Sequence, residues 1–373
     1  MSFSFNFSIL PLRKNFKVFF CFFIFAIPFL TLSFSEEKVQ YLKKVGEIKD
    51  GFSSERENFF IKITGLCCDD EGNLYVADSG WNKIFKFDSN GKFLMSFGRE
   101  GQGPGEFMGG KYINPLSISF GNDGKVYIKD RGNNRLSVFT KDGKFIKSYP
   151  LPPLSFYDPP VVDSKGNIFL HSQSGIKAID CYDSNLKYKY SLLDIITCRE
   201  TPFDKEIVPK SGPILTNEIL TLITKNDEVI IVPNVSNTVY IFKDEKQIRK
   251  FYINEKGFLE NIRKEIEERK RRKSEDLKLL KGLEKRVSPS SRGTGIKFRT
   301  SSVFFIFSSV FLGKEDFIYF VYISERKSKI LKYDLTGKFL NKFESPEFLR
   351  FVAANKENIF GAQGQKIIIF KLF

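Results

Sequence analysis

Apolar and polar residues alternate in short bursts along most of the chain, and tight-turn residues separate the bursts. From Gly65 to Gly98 the order is GLCCDDEGNLYVADSGWNKIFKFDSNGKFLMSFG, and from Ser117 to Tyr149 it is SISFGNDGKVYIKDRGNNRLSVFTKDGKFIKSY. Each segment predicts strand, tight turn, strand, loop, strand, tight turn, strand, because period-two runs bounded by Gly, Asn and Asp mark half-buried strands. The turns fall at Asp70-Glu71-Gly72-Asn73 and Asn90-Gly91 in the first copy, and at Asp123-Gly124 and Asp142-Gly143 in the second. Asn-Gly and Asp-Gly supply the positive φ that two-residue hairpin turns need.

Four weaker copies follow: Val161 to Asp194, Glu218 to Ile253, Val303 to Phe343, and Phe348 to Phe373, which stops after three strands. A repeating four-stranded antiparallel unit is a propeller blade. The fold class is therefore all-β, a six-bladed β-propeller. The last blade lacks its outer strand and would leave an unpaired edge, which the chain's own N-terminal part can supply. Val39 to Val45 resembles the outer-strand segments and is expected to close the last blade.

Between blades four and five, Lys256 to Arg286 carries no strand signal and is rich in helix formers. Two short helices or one long solvated helix fit this insertion, taken as 256–287. Leu259, Ile262 and Ile266 share one helical face, and the stretch from Glu267 to Asp276 is polar. The insertion should overhang the face that carries the loops between second and third strands. It reads either as a charged surface excursion or as a lid or partner-binding arm.

Gly98 to Phe107, GREGQGPGEF, resembles the inter-blade signature of the NHL-repeat propellers. Tyr75 to Ile84 and Tyr127 to Leu136 resemble that family's "YVAD-x-x-N-x-R-I" core. The match covers blades one and two and fades afterwards, with the core Asp and Asn lost at Ser172, Asn234, Ser324 and Gln363. The resemblance implies the fold; it implies no single activity, since propellers host many.

Composition adds a basic balance. The 373 residues carry a formal charge of +15, which favours an anionic partner such as a phosphate-bearing polymer, a lipid headgroup or an acidic glycan. Val18 to Leu32 is an uncharged apolar run preceded by Arg13, Lys14 and Lys17 and followed by Ser33-Phe34-Ser35. Residues 1–35 thus read as a signal peptide or membrane anchor, and 36–373 as an exported periplasmic or extracellular propeller, expected to be monomeric. Loss of the leader would lower the charge to +12. Cys67, Cys68, Cys181 and Cys198 follow it; the adjacent pair should face opposite sides of a strand, and a single disulfide among the four is conceivable in an exported chain.

His171 is the only histidine, so no multi-histidine zinc site can be built. There is no GxSxG elbow, and GREGQGPGEF lacks the Lys-Ser/Thr of a phosphate loop. No cofactor is called for. Asp78, Asp130, Asn82 and Asn134 end or follow second strands and serve either the loop backbone or a ligand. Candidate binding residues lie on the loop face: Trp81, Asn82, Lys83, Arg131, Asn134, Arg135, His171, Gln173, Asn234, Arg326 and Gln363. Trp81 is either an exposed anchor or packed on the neighbouring inter-blade loop. The function expected is a non-catalytic binding or sensor propeller of the cell envelope, recognising a protein or an anionic ligand. The rival is a metal-dependent lactonase-like or lyase-like enzyme, with a calcium or zinc ion in the channel. Nucleic acid fits poorly with export.

Overall fold

The computed structural model describes residues 40–52, 58–108, 116–151, 158–195, 219–234, 236–284, 307–350 and 352–372. Residues 1–35, expected as a signal peptide or anchor, Cys198 and positions 285–287 of the expected insertion lie outside the described residues.

Six antiparallel sheets follow one another along the chain. Blade one consists of Ile63–Cys68, Leu74–Asp78, Lys83–Phe87 and Phe93–Phe97. Blade two is Leu116–Phe120, Val126–Asp130, Arg135–Phe139 and Phe145–Pro150. Blade three is Val161–Val162, Ile168–His171, Lys177–Tyr182 and Tyr188–Asp194. Blade four is Ile219–Ile223, Glu228–Pro233, Thr238–Lys243 and Lys246–Tyr252. Blade five is Ser309–Leu312, Ile318–Ser324, Lys327–Tyr333 and Phe339–Ser345. Blade six takes Val352–Ala354, Asn358–Gln363 and Lys366–Lys371, together with Lys44–Ile48. Each innermost strand lies against those of the neighbouring blades, and that of blade six against that of blade one, so the ring is continuous.

Apolar side chains fill the wedges between blades. Tyr75, Ala77, Phe107, Ile118, Val126 and Phe139 pack blade one on blade two, while Phe60, Val76, Phe85, Phe360 and Ile367 pack blade six on blade one. Cys67 packs into the first of these clusters and Cys68 into the second, and both are free thiols, as is Cys181. Adjacent strand residues point to opposite faces, which separates the pair.

The tight turns differ from the two-residue expectation. Only the glycine takes positive φ, at Gly72, Gly91, Gly124 and Gly143, and the residues before them stay in the ordinary region. At Asp88 the backbone closes with Gly91 N–H to the Asp88 carbonyl at 3.0 Å and Asp88 N–H to the Lys92 carbonyl at 2.8 Å. The Asp88 carboxylate also accepts from the N–H groups of Asn90 and Lys92, both at 2.9 Å. Asp69, Asp163, Asp183 and Asp334 do the same for the residues two and four further on. This is a type I turn followed by a left-handed bulge residue, glycine in each turn except that of Asp183, where it is Leu186, with an Asx turn supporting it.

The N-terminal segment is divided between two blades. Gln40–Tyr41 pairs in parallel with the outer strand of blade five, and Lys44–Ile48 pairs antiparallel with Lys366–Lys371. Between them Leu42 is buried among Phe343, Ile368 and Phe370. That buried anchor sets the crossing point and shifts the pairing stretch later than Val39 to Val45. The Lys44–Ile48 strand reproduces the irregularity of the continuous outer strands. Blades one, two, four and five skip Leu94, Ile146, Ile248 and Leu340 in their pairing, and here the skipped residue is Val45. Lys371 N–H bonds the Lys43 carbonyl at 3.0 Å, as Asp88 N–H bonds that of Lys92.

Helix α1, Lys256–Glu284, follows the outer strand of blade four. Glu255 accepts from the backbone N–H groups of Gly257, at 3.0 Å, and Phe258, capping the first turn, and Lys342 Nζ lies 3.3 Å from its carboxylate. Phe258 and Ile262 are buried with Phe307 and Tyr322 between blades four and five. Glu267, Glu268, Arg271, Ser274 and Glu275 are exposed, and the other side chains of the Arg269 to Lys273 run lie outside the described residues.

Candidate functional site at the loop face

The residues expected to meet a ligand fall into two groups. The larger group is engaged inside the fold. Asp78 is fully buried, and its carboxylate accepts from the N–H groups of Ile61 at 2.7 Å, Lys62 at 3.0 Å, Gly80 at 2.8 Å and Trp81 at 3.2 Å. It therefore ties the turn after the second strand to the connection entering its own blade. Asp130 repeats the device on Met108 and Asn133, with burial raising its carboxyl above the usual range against these hydrogen bonds.

Arg135 spans the GREGQGPGEF loop, donating to the carbonyls of Gln102 at 2.8 Å, Gly103 at 2.9 Å and Glu106 at 2.6 Å. Asn234 exchanges two hydrogen bonds with the backbone of Phe307, at 2.9 and 2.6 Å. Gln363 donates to Glu347 at 2.5 Å. Trp81 Nε1 donates to the Phe59 carbonyl at 2.8 Å, and the two rings meet edge-on at 5.2 Å. It is thus half-buried on the connection into blade one. Asn82 is buried at a φ of 54°, a left-handed position that Asn tolerates, while Lys83 opens the third strand. Asn134 is exposed with its carbonyl accepting from Leu151 N–H at 2.7 Å, and Gln173 is exposed.

Arg326 lines a cleft of about 530 Å³ between α1 and blade five, with Asn261, Lys264, Glu268 and Phe348. A second cleft of about 630 Å³ runs between blades six and one, past Lys49, Asp50, Phe59 and Gln365.

The smaller group is a charged cluster where blade two meets the connection into blade three. His171 does not sit in a loop: it ends the second strand of blade three, opposite Ile179, with its side chain 5% exposed. Its Nδ1 is 3.4 Å from Oδ2 of Asp158, at the end of the connection entering blade three. Lys129, on the second strand of blade two, is 4% exposed and points Nζ at the Asp158 carbonyl, 3.4 Å away. Arg131 follows two residues later and its charge acts on Lys129.

Burial pushes the Asp158 carboxyl up to about 7, opposed by the positive charge of Lys129. Burial likewise pushes Lys129 down to about 8, partly opposed by Asp158 and reinforced by Arg131. Two groups that ordinarily carry full charge at neutral pH are held near their titration points.

Register shows that this cluster is not a demand of the fold. Lys129 stands four residues beyond Lys125, whose carbonyl closes the inner turn, and His171 stands four beyond Asn167 in the same role. The same count from Asn73, Glu228, Phe317 and Asn358 reaches Ala77, Val232, Val321 and Ala362, all buried. Four blades place a small or branched apolar residue here, and two adjacent blades place ionisable ones. Arg131 and His171 are visible as candidates in the sequence. Lys129 and Asp158 are not, because Lys129 alternates regularly within a strand and Asp158 sits among prolines. The signal that finds Lys129 is a lysine at an inward-facing position of a central strand.

Among the described residues, no group of three or more His, Cys, Asp or Glu side chains is placed to hold a metal ion, and no helix is long and apolar enough to cross a membrane.

The geometry has counterparts in known proteins. Human NHL repeat-containing protein 3 is 32% identical over 80 residues, which are 21% of this chain and 22% of that protein, so the match spans about a fifth of the relative's length. Among solved structures, a protein from Bacteroides vulgatus of the DUF4221 family aligns with a TM-score of 0.52 at 11% identity, covering 88% of this chain and 97% of the other. A Bacteroides fragilis protein described as exported aligns with a TM-score of 0.51 at 12% identity, over 90% and 99% of the two chains. At such identities both likenesses concern the fold. A family model described as a 6-bladed beta-propeller, DUF5128, matches residues 55–278. The chain belongs to this family of NHL-like six-bladed propellers.

Proposed function

We propose that this chain is a non-catalytic binding propeller, exported and closed by its N-terminal strand, that recognises an anionic group of a partner protein beside Lys129, Arg131 and His171. The observation that carries this reading is the pair of ionisable side chains at equivalent positions of adjacent blades, where the other four blades bury Ala or Val. Burying charge opposes folding unless it is compensated, so a cluster that the architecture does not require is retained for what it binds. The basic overall balance of +15 fits an acidic partner. The apolar run from Val18 to Leu32 supports delivery outside the cytoplasm. Helix α1, bolted to the ring by Phe258 and Ile262, leaves Glu267, Glu268, Arg271 and Glu275 exposed, where they can border a docked partner.

The test is calorimetric titration of the propeller with a hexaglutamate peptide at pH 6.5. Arg131→Ala and Lys129→Met should each weaken binding about tenfold, the scale of one lost charge-assisted hydrogen bond. Equal affinity in wild type and both variants would place the binding surface elsewhere.

A further inference from the structure

We propose that the Lys129, Arg131, Asp158 and His171 cluster is a proton-linked carboxylate site, in which a protonated Asp158 stays in place beside the incoming carboxylate of the partner. The inference rests on the binding reading above and adds the ligand's chemistry and its control.

The geometry puts Asp158 between side chains from two different blades, His171 at its carboxylate and Lys129 at its backbone carbonyl. Asp158 lies 3.4 Å from His171 Nδ1, and Lys129 Nζ reaches the same residue through its carbonyl at 3.4 Å. Lys129 and His171 are 4% and 5% exposed, whereas the Asp158 side chain is 24% exposed and forms the rim. An arriving anion therefore meets Asp158 first. The charged and titratable groups acting there are Lys129 and Arg131 from blade two, Asp158 from the connection, and His171 from blade three. A protonated Asp158 can donate its O–H to an incoming carboxylate, so that the two groups share one proton. The planar guanidinium of Arg131 suits such a group.

When Asp158 is ionised, it neutralises Lys129 and repels an incoming carboxylate. When it is protonated, Lys129 and Arg131 remain positive and nothing opposes the ligand. Binding is then favoured by a proton on Asp158, which ligand binding draws from solvent. The proton is taken up by the Asp158 carboxylate oxygen, and no covalent bond to the ligand forms. The sign follows from the direction of both shifts. As pH rises through about 7, Asp158 gains its charge, and as it rises further through about 8, Lys129 loses its own. Both changes weaken anion binding, so affinity falls from acid to alkaline pH.

Calorimetric titration with hexaglutamate at pH 6.0 and pH 8.5, in buffers of different ionisation enthalpy, reads affinity and proton uptake together. Wild type should bind about tenfold or more weakly at the higher pH and take up close to one proton near pH 7.5. Asp158→Asn, the neutral isostere, should lose the part of the pH dependence that Asp158 contributes, with a shallower slope between pH 6.0 and 8.5 and about half the wild-type proton uptake or less, the remainder coming from Lys129. If Asp158→Asn keeps the wild-type pH slope, the proton linkage is overturned while the binding surface stands. If inorganic phosphate binds and hexaglutamate does not, the carboxylate assignment is overturned. If Arg131→Ala and Lys129→Met match wild type at pH 6.0, the site itself is overturned together with the reading beneath it. Circular dichroism melts of each variant separate lost binding from lost folding.

Discussion

At the residue scale the loop face is held by buried acids and amides. The Asp78 carboxylate accepts from four backbone N–H groups, two on the turn and two on the connection. Asp78→Ala strands these donors and should lower unfolding free energy by about 3 kcal/mol, read by urea denaturation; a change under about 0.5 kcal/mol would mean that water replaces the carboxylate without loss. These acids were legible as the NHL-like core in blades one and two, because Asp78 and Asp130 end the YVAD and YIKD runs four residues before Asn82 and Asn134. Their role as ties between turn and connection was not, since Ile61 and Met108 lie 17 and 22 residues away. The same distance problem hid Asp158. It becomes meaningful only when the connection into blade three is folded back beside Lys129.

At the element scale the blades were legible because each strand is short, alternates regularly and ends in an Asp or Gly turn. The turn type was not, because Asn-Gly is compatible with both two-residue and bulged turns; Asp88, the first residue of the same turn, decides in favour of the bulge by accepting from Asn90 and Lys92. Helix α1 was legible from composition. Its anchoring by Phe258 was not, since Phe307 and Tyr322 come from the next blade. Each outer strand is an exposed edge, and in blades one, two, four, five and six an exposed apolar residue is skipped at the same place in the pairing. Such bulges bend the edge and discourage another chain from pairing with it. The Lys44–Ile48 strand carries the same bulge at Val45 and covers Lys366–Lys371. Removing residues 40–48 should therefore expose a buried edge and the seat of Leu42 and Ile48, giving aggregation or a melting temperature lowered by more than about 10 °C. An unchanged melting curve would show that the ring closes without this strand.

At the scale of the whole molecule, six similar wedges make a rigid ring, and departures from the repeat are where function is to be sought. Two departures stand out: α1 on blade four, and the ionisable residues at Lys129 and His171. The second is the more diagnostic, because it opposes the interior chemistry that the other blades follow. If Lys129 is retained for binding, the ring should be more stable without it. Equilibrium unfolding of Lys129→Met at pH 6, where Asp158 is largely protonated, tests this directly. The expected result is a gain of about 1 kcal/mol or more over wild type, since a buried cation gives way to an apolar side chain of similar length. A loss of stability would contradict it and would make Lys129 a structural partner of Asp158 rather than part of a binding site.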